Sequence, residues 1–202
     1  MIDAKEFNRI AAERFKAELG PLGFRKSGTI FWRHEPPSLL AVVKQSFRGV
    51  FLGYCLGVTF DFLANTRDGR GKLKPPAYVE DYPTAVPLFR LRWEYERHDS
   101  PAAFSGGLNA RSFDFDWTTE EDRPEAPRSV RASAARAMAS TRQAESYIDE
   151  SIEIVRTDGL RFQAAVDPAT SLELLRRDFG GTPHMPERLR DELLAWLERP
   201  DS

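Results

Sequence analysis

The apolar positions near the start of the chain follow the period of an α-helix. Over residues 3–19 they recur three or four positions apart, at Phe7, Ile10, Ala11, Phe15 and Leu19. Gly20 and Pro21 come directly afterwards, and this pair ends helices because proline lacks a backbone donor and glycine adopts left-handed conformations. The pattern predicts an amphipathic helix that opens the chain.

Alternation of apolar and polar residues, the period of a β-strand, follows this helix. Arg48 and Gly49 form a tight turn between two of the alternating runs, so these two runs are predicted to pair as an antiparallel hairpin. The runs cover residues 29–34, 39–47, 50–62, 89–96 and 113–117.

The third run, residues 50–62, has two unlike faces. Every second residue from Leu52 to Phe62 is large and apolar, whereas the opposite face is mostly small and includes Gly53 and Gly57. We expect the large face to pack on the opening helix. The small face predicts either a bent strand or the close approach of another backbone or a ligand.

Helical spacing returns late in the chain and defines the class of fold. A helix is predicted from residue 127 to about residue 158, and two shorter ones over residues 170–178 and 186–198, whereas the proline-rich residues 65–87 predict an irregular excursion. Strands followed by helices are typical of α+β proteins. We therefore predict one domain over residues 1–202, with a mainly antiparallel sheet and with the N-terminal and C-terminal helices packed on one face. Its sheet-rich part spans residues 22–117 and its helical part residues 125–199.

Composition narrows the classes of function. Lys and Arg number 29 against 31 Asp and Glu, and this near-balance makes a nucleic-acid partner unlikely because no overall positive field exists. The first residues are charged and lack a long apolar stretch, so we expect no membrane association. The single cysteine, Cys55, lies in an apolar run and predicts a buried, inert thiol in the reducing cytoplasm.

No motif of a known catalytic or cofactor site is visible. The three histidines have no second ligand at metal-binding spacing, and no nucleophile elbow or phosphate-binding loop occurs, so we predict no metal, no cofactor and no catalytic residue. Aromatic and basic residues on neighbouring strands instead predict a binding surface, since interfaces are rich in Trp and Arg. The residues predicted to bind are Trp32, Arg33, Lys44, Gln45, Arg48, Arg92 and Trp93.

Two features keep alternatives open. Asp114 and Asp116 are predicted to lie on one strand face, and they either pair with Arg90 and Arg92 as exposed ion pairs or form an enzyme site with His98 and Arg92. A weak nucleic-acid binder could use a set of scattered basic residues: Arg33, Lys44, Arg48, Arg128, Arg131, Arg136 and Arg142. In the Lys44-Gln45-Ser46 strand, alternation separates Gln45 from Lys44 unless the strand bulges.

The sequence contains three short motifs: Leu22-Gly23-Phe24-Arg25-Lys26, Phe31-Trp32-Arg33 and Lys44-Gln45-Ser46. In this order, after an opening helix, they resemble a bacterial domain-of-unknown-function family that has a GF(K/R)K turn, an aromatic-Arg strand and a QKS-like strand. The resemblance implies a cytosolic α+β domain without a catalytic motif. The leading hypothesis is therefore a non-enzymatic interaction domain, of the immunity type, that presents its sheet face to another protein. The oligomeric state is left open.

Overall fold

The protein is described by a computed structural model that covers residues 4–47, 50–88, 141–178 and 187–199. A π-helical turn, Val155–Gly159, joins the second helix to the third. The elements follow one another along the chain as α1 (Ala4–Leu19), β1 (Arg25–Ser27), β2 (Ile30–Glu35), β3 (Ser38–Phe47), β4 (Val50–Phe60), β5 (Thr84–Pro87), α2 (Thr141–Ile154), α3 (Leu160–Ala165), α4 (Pro168–Asp178) and α5 (Glu187–Leu197).

The five strands form one antiparallel sheet in the order β1-β2-β3-β4-β5. The α+β class and the antiparallel sheet predicted from the sequence are confirmed. The predicted hairpin is confirmed as well: β3 and β4 pair from Ser38 opposite Phe60 to Phe47 opposite Val50. Its turn, Arg48 and Gly49, lies outside the described residues. A cis peptide bond between Pro36 and Pro37 joins β2 to β3.

The side chains on one face of the sheet belong to the main apolar core, to which all five helices contribute. Phe15 of α1 meets Tyr54 of β4 edge to face, with ring centroids 5.0 Å apart. Tyr54 also stacks on Tyr147 of α2 at 6.1 Å, and its backbone N–H donates to the Tyr147 hydroxyl at 3.2 Å. Phe60, at the far end of the same row, is completely buried. The prediction that this face of β4 packs on the opening helix is confirmed.

The opposite face of the sheet is covered by the segment between β4 and β5. Val79 and Tyr82 of this segment are buried in a second apolar cluster with Trp32, Val43 and Cys55. At Gly57 the small-residue face receives a close neighbour, which is the side-chain ring of Tyr82 and not the backbone or ligand that the sequence suggested. Over these residues the face is not open to a partner, so the expected presentation of a bare sheet face does not apply there.

Two strands and one helix boundary differ from the sequence expectations. Strand β1 falls within the predicted turn and β5 within the predicted irregular excursion. The long helix does not end near Gly159, because the chain continues through the π-helical turn into α3. Gly159 has helical dihedral angles, and a Cβ at this position would lie 3.3 Å from Leu56 Cδ2, so the glycine permits close packing on the sheet. The predicted strands over residues 89–96 and 113–117 lie outside the described residues.

Candidate binding groove

A groove of about 420 Å³ opens between α1 and the sheet, at the end where β1 turns into β2. Its apolar wall is formed by three aromatic side chains of the main core, Phe15, Phe31 and Tyr54. Its polar wall is supplied by both α1 and the strands, and it contains Lys5, Asn8, Arg9, Glu13, Lys26 and Lys44.

The register of the strands explains why basic residues reach this groove. Lys26 pairs with Phe31, which faces α1, so Lys26 lies on the helix-facing side at the sheet edge. Gly28 makes the turn from β1 to β2 with φ of 59°, a left-handed conformation that glycine adopts without strain. The turn holds the two short strands together and therefore positions Lys26 at the rim.

Lys44 lies where the helix-facing row of β3 leaves the core. Leu40 and Val42, the two preceding residues on that side, are buried, whereas Lys44 is half-buried and pairs with Tyr54. A long aliphatic stem allows lysine to cover apolar surface while its ammonium reaches a polar region. Burial lowers the pKa of the Lys44 ammonium from its ordinary value, because the charged form is poorly solvated there.

The Lys44 ammonium donates a hydrogen bond to Asn8 Oδ1 at 2.9 Å. An ammonium group has donors and no acceptor, so the Asn8 atom that faces it must be the oxygen. The amide nitrogen of Asn8 consequently points away from Lys44. Asn8 is itself half-buried, and it donates no side-chain hydrogen bond to any residue within the described ranges.

The charges of the groove sum to a positive value. Arg9 is bound on both sides by carboxylates: its Nη2 lies 2.7 Å from Glu6, and its Nη1 lies 2.7 Å from Glu13. Lys5 and Lys26 are exposed, and neither forms an ion pair with a residue that the structure describes. Two exposed lysines and Lys44 thus remain beyond the Arg9 network, on a protein whose formal net charge is −2.

Of the predicted binding residues, the structure describes the side chains of Trp32, Arg33 and Lys44, and it does not bring these three together. Trp32 is only 8% exposed and lies in the cluster on the opposite face of the sheet. Arg33 is half-buried, and its guanidinium forms an ion pair with Glu35. Arg33 pairs with Leu40, four residues before Lys44 along β3, which corresponds to about 13 Å. Of these residues, Lys44 lines the groove.

The other candidate residues are placed as follows. The β3–β4 register shifts between Gln45, opposite Gly53, and Ser46, opposite Phe51, so the extra residue is Leu52 of β4 and not a residue of the Lys44-Gln45-Ser46 strand, where the sequence had allowed for a bulge. His34 forms a 2.9 Å contact from Nε2 to Asp61 Oδ2. The predicted burial of Cys55 is confirmed, and burial raises the pKa of its thiol to about 12, whereas its inertness stays a prediction. The candidates whose side chains lie outside the described residues are Gln45, Arg48, Arg90, Arg92, Trp93, His98, Asp114, Asp116, Arg128, Arg131 and Arg136.

The sequence reasoning missed the contribution of α1. Lys5, Asn8 and Arg9 are three and four positions apart, which places them on one side of the helix, next to the apolar stripe. That spacing was an available signal, although a polar helix side is most often simply solvated. Lys26 stood in the GF(K/R)K turn but was not among the predicted binding residues.

The described residues offer little for metal or membrane chemistry. No three of their His, Cys, Asp and Glu side chains come together in a group that could hold a metal ion. None of the helices in this part of the chain is long and apolar enough to cross a membrane.

Comparison of the chain with known protein families, with curated proteins and with solved structures finds no match in any of the three.

Proposed function

We propose that this protein is a non-enzymatic binding domain of the bacterial cytoplasm that holds an acidic segment of another protein in the groove between α1 and the β1–β2 turn. An immunity-type protein neutralises its partner by this kind of contact. The observation that carries the proposal is the excess of positive charge in the groove, around Lys5, Lys26 and Lys44, on a chain with a net negative charge. Charge complementarity of this kind selects partners and accelerates their association.

The shape and lining of the groove favour a protein segment over nucleic acid. Phe15 and Tyr54 are 1% and 5% exposed, so they present no open ring face on which a base could stack. The basic residues line one short groove, whereas binding of successive phosphates along a nucleic-acid strand needs an extended row of basic residues. With the rings buried, the lysines are the part of the wall that a partner can reach, and they suit a segment whose acidic side chains are closely spaced.

Two further observations agree with a cytoplasmic binding role. The only cysteine is buried, and the absence of a second one rules out an internal disulfide, which fits a reducing compartment. Lys26 and Lys44, which belong to the motifs that resemble the bacterial domain-of-unknown-function family, both line the groove. We propose membership of that family on this basis.

The test measures binding of a designed acidic probe by fluorescence anisotropy. The probe is a labelled hexapeptide of alternating Glu and Ser, acetylated and amidated at its ends, and its counterpart carries Gln in place of Glu. We expect the Glu peptide to bind more tightly, and its affinity to fall as salt rises, because surface charges are screened. A labelled DNA oligonucleotide of similar charge should bind more weakly than the Glu peptide.

The variant Lys5→Glu/Lys26→Glu reverses two rim charges and should weaken binding of the Glu peptide about tenfold, as expected from the loss of two surface ion pairs. Lys72→Glu/Lys74→Glu is the matched control, because both lysines are exposed and lie outside the groove and the change in net charge is the same. Urea unfolding verifies that both variants fold. Equal binding of the Glu and Gln peptides, or equal losses in the two variants, would contradict the proposal.

A further inference from the structure

The side chains at the inner end of the groove are more buried than those at its rim. Lys5 and Lys26 are exposed at the rim, whereas Lys44 and Asn8 are both half-buried and hydrogen-bonded to each other at 2.9 Å. The backbone of Lys44 pairs with that of Tyr54, whose side chain is buried between α1 and α2. The positions of the ammonium and the amide are therefore set by the fold.

These two side chains offer complementary features to an anion. Lys44 supplies one positive charge. Asn8 supplies the two N–H donors of its amide nitrogen, because its oxygen accepts from Lys44. The acid on the same wall, Glu13, already binds Arg9 through both carboxylate oxygens, at 2.7 and 2.8 Å. Glu13 is thus occupied by Arg9 within the groove.

We infer that Lys44 and Asn8 form an anchor for one side-chain carboxylate, and that this anchor determines which acidic residue of the partner segment enters the groove. The inference rests on the proposed function and adds the chemical class of the bound group. A single positive charge beside a planar amide donor matches the single negative charge and the two oxygens of a carboxylate. The exposed lysines then meet further acidic side chains of the same segment.

The first test is the variant Asn8→Asp, which places a carboxylate beside Lys44 within the protein itself. This internal carboxylate occupies the ammonium and repels an incoming one, so we expect the affinity for the Glu peptide to fall about tenfold or more. Ala17→Asp is the matched control, because Ala17 is exposed on α1 outside the groove and the substitution adds the same charge. Its affinity should remain within about twofold of the unmodified protein.

The second test follows the pKa of Lys44 itself by nuclear magnetic resonance of its side chain. Addition of acetate should raise the pKa of Lys44 in the unmodified protein, and the rise should be much smaller in Asn8→Leu, which lacks the amide donors. In Asn8→Asp the pKa should already be raised without acetate. A purely structural role for Asn8 would leave the response to acetate unchanged in Asn8→Leu.

The results separate the anchor from the proposed function. If rim charge reversal weakens the Glu peptide but Asn8→Asp binds it as tightly as Ala17→Asp does, the groove binds acidic segments and the anchor is wrong. If the Glu and Gln peptides bind equally while acetate still acts on Lys44 through Asn8, the anchor stands and the proposed function is wrong. A peptide with a free C-terminus tests the competing source of the carboxylate: tighter binding of this peptide would overturn the assignment to a side chain.

Discussion

Gly57 contacts the ring of Tyr82, and a substitution at Gly57 therefore tests whether Tyr82 covers the second face of the sheet. A Cβ added at position 57 would lie 2.5 Å from Cδ1 and 2.7 Å from Cγ of that ring, closer than side-chain atoms tolerate. The ring has little freedom to move, because Tyr82 is buried and its hydroxyl donates to the carbonyl of Pro76 at 2.8 Å. The substitution Gly57→Ala must therefore displace the segment that covers the sheet.

Two opposing effects set the size of the change. Overpacking of a well-filled core costs about 1–3 kcal/mol. Alanine also restricts the unfolded chain, which contributes about 0.4–1 kcal/mol of stability. We expect the free energy of unfolding of Gly57→Ala to fall by about 1–2 kcal/mol. Each kcal/mol lost should lower the melting temperature by about 2–4 °C.

Urea unfolding at 25 °C measures this change. Gly69→Ala is the control, since Gly69 is exposed and a Cβ there would meet no atom within 4 Å. The double variant Gly57→Ala/Tyr82→Leu should lose less stability than the two single variants added together, because the smaller side chain relieves the clash. If Gly57→Ala is as stable as Gly69→Ala, Tyr82 does not cover this face and the described second layer is wrong.

Three further predictions concern the core, the groove and the thiol. Phe60→Ala should cost about 3–5 kcal/mol in urea unfolding, because Phe60 is fully buried, and a variant that melts like the exposed control Tyr78→Ala would contradict this. Lys44→Met should be more stable than the unmodified protein at pH 7, since burial lowers the pKa of the folded-state ammonium below its unfolded value and makes its charge costly. That advantage should shrink as the pH rises from the lowered pKa toward about 10.4, the ordinary lysine value, and urea unfolding that gave an equal difference at pH 7 and pH 10 would argue against it. Cys55, whose pKa burial raises to about 12, should react with a thiol reagent at pH 8 only after unfolding, and rapid labelling of the native protein would be the contrary result.

The strongly periodic segments could be predicted from the sequence. The stripe from Phe7 to Leu19 predicted a helix over residues 3–19, and α1 spans Ala4–Leu19. The alternation around Arg48-Gly49 predicted the β3–β4 pairing for the same reason, because one face of each strand must be buried. The periodic pattern was sufficient to predict an element where one neighbouring element determines which of its faces is buried.

The remaining features depend on contacts between distant parts of the chain. Gly159 carries the usual sign of a helix end, but its packing against Leu56 keeps the chain helical, and no local pattern contains that contact. Val79 and Tyr82 show no periodic pattern, and although the small face of β4 indicated a close approach, it could not indicate that a side chain of the same protein makes it. The groove combines Lys44 with Asn8, which lie 36 positions apart, so strand alternation alone could find only half of it.

The order of the strands has a consequence for how the chain folds. Each strand pairs with its neighbour in sequence, so the sheet is a meander whose loops close at small entropic cost. The contact of α1 with α2 is different: Arg14 and Asp149, which form an ion pair across it, are 135 positions apart. Because contacts between distant residues form more slowly than local ones, we expect the β2–β3–β4 hairpins to be largely formed in the transition state and the docking of α2 on α1 to follow it. Substitutions in β3 and β4 should then slow folding, whereas substitutions at the α1–α2 contact should mainly accelerate unfolding.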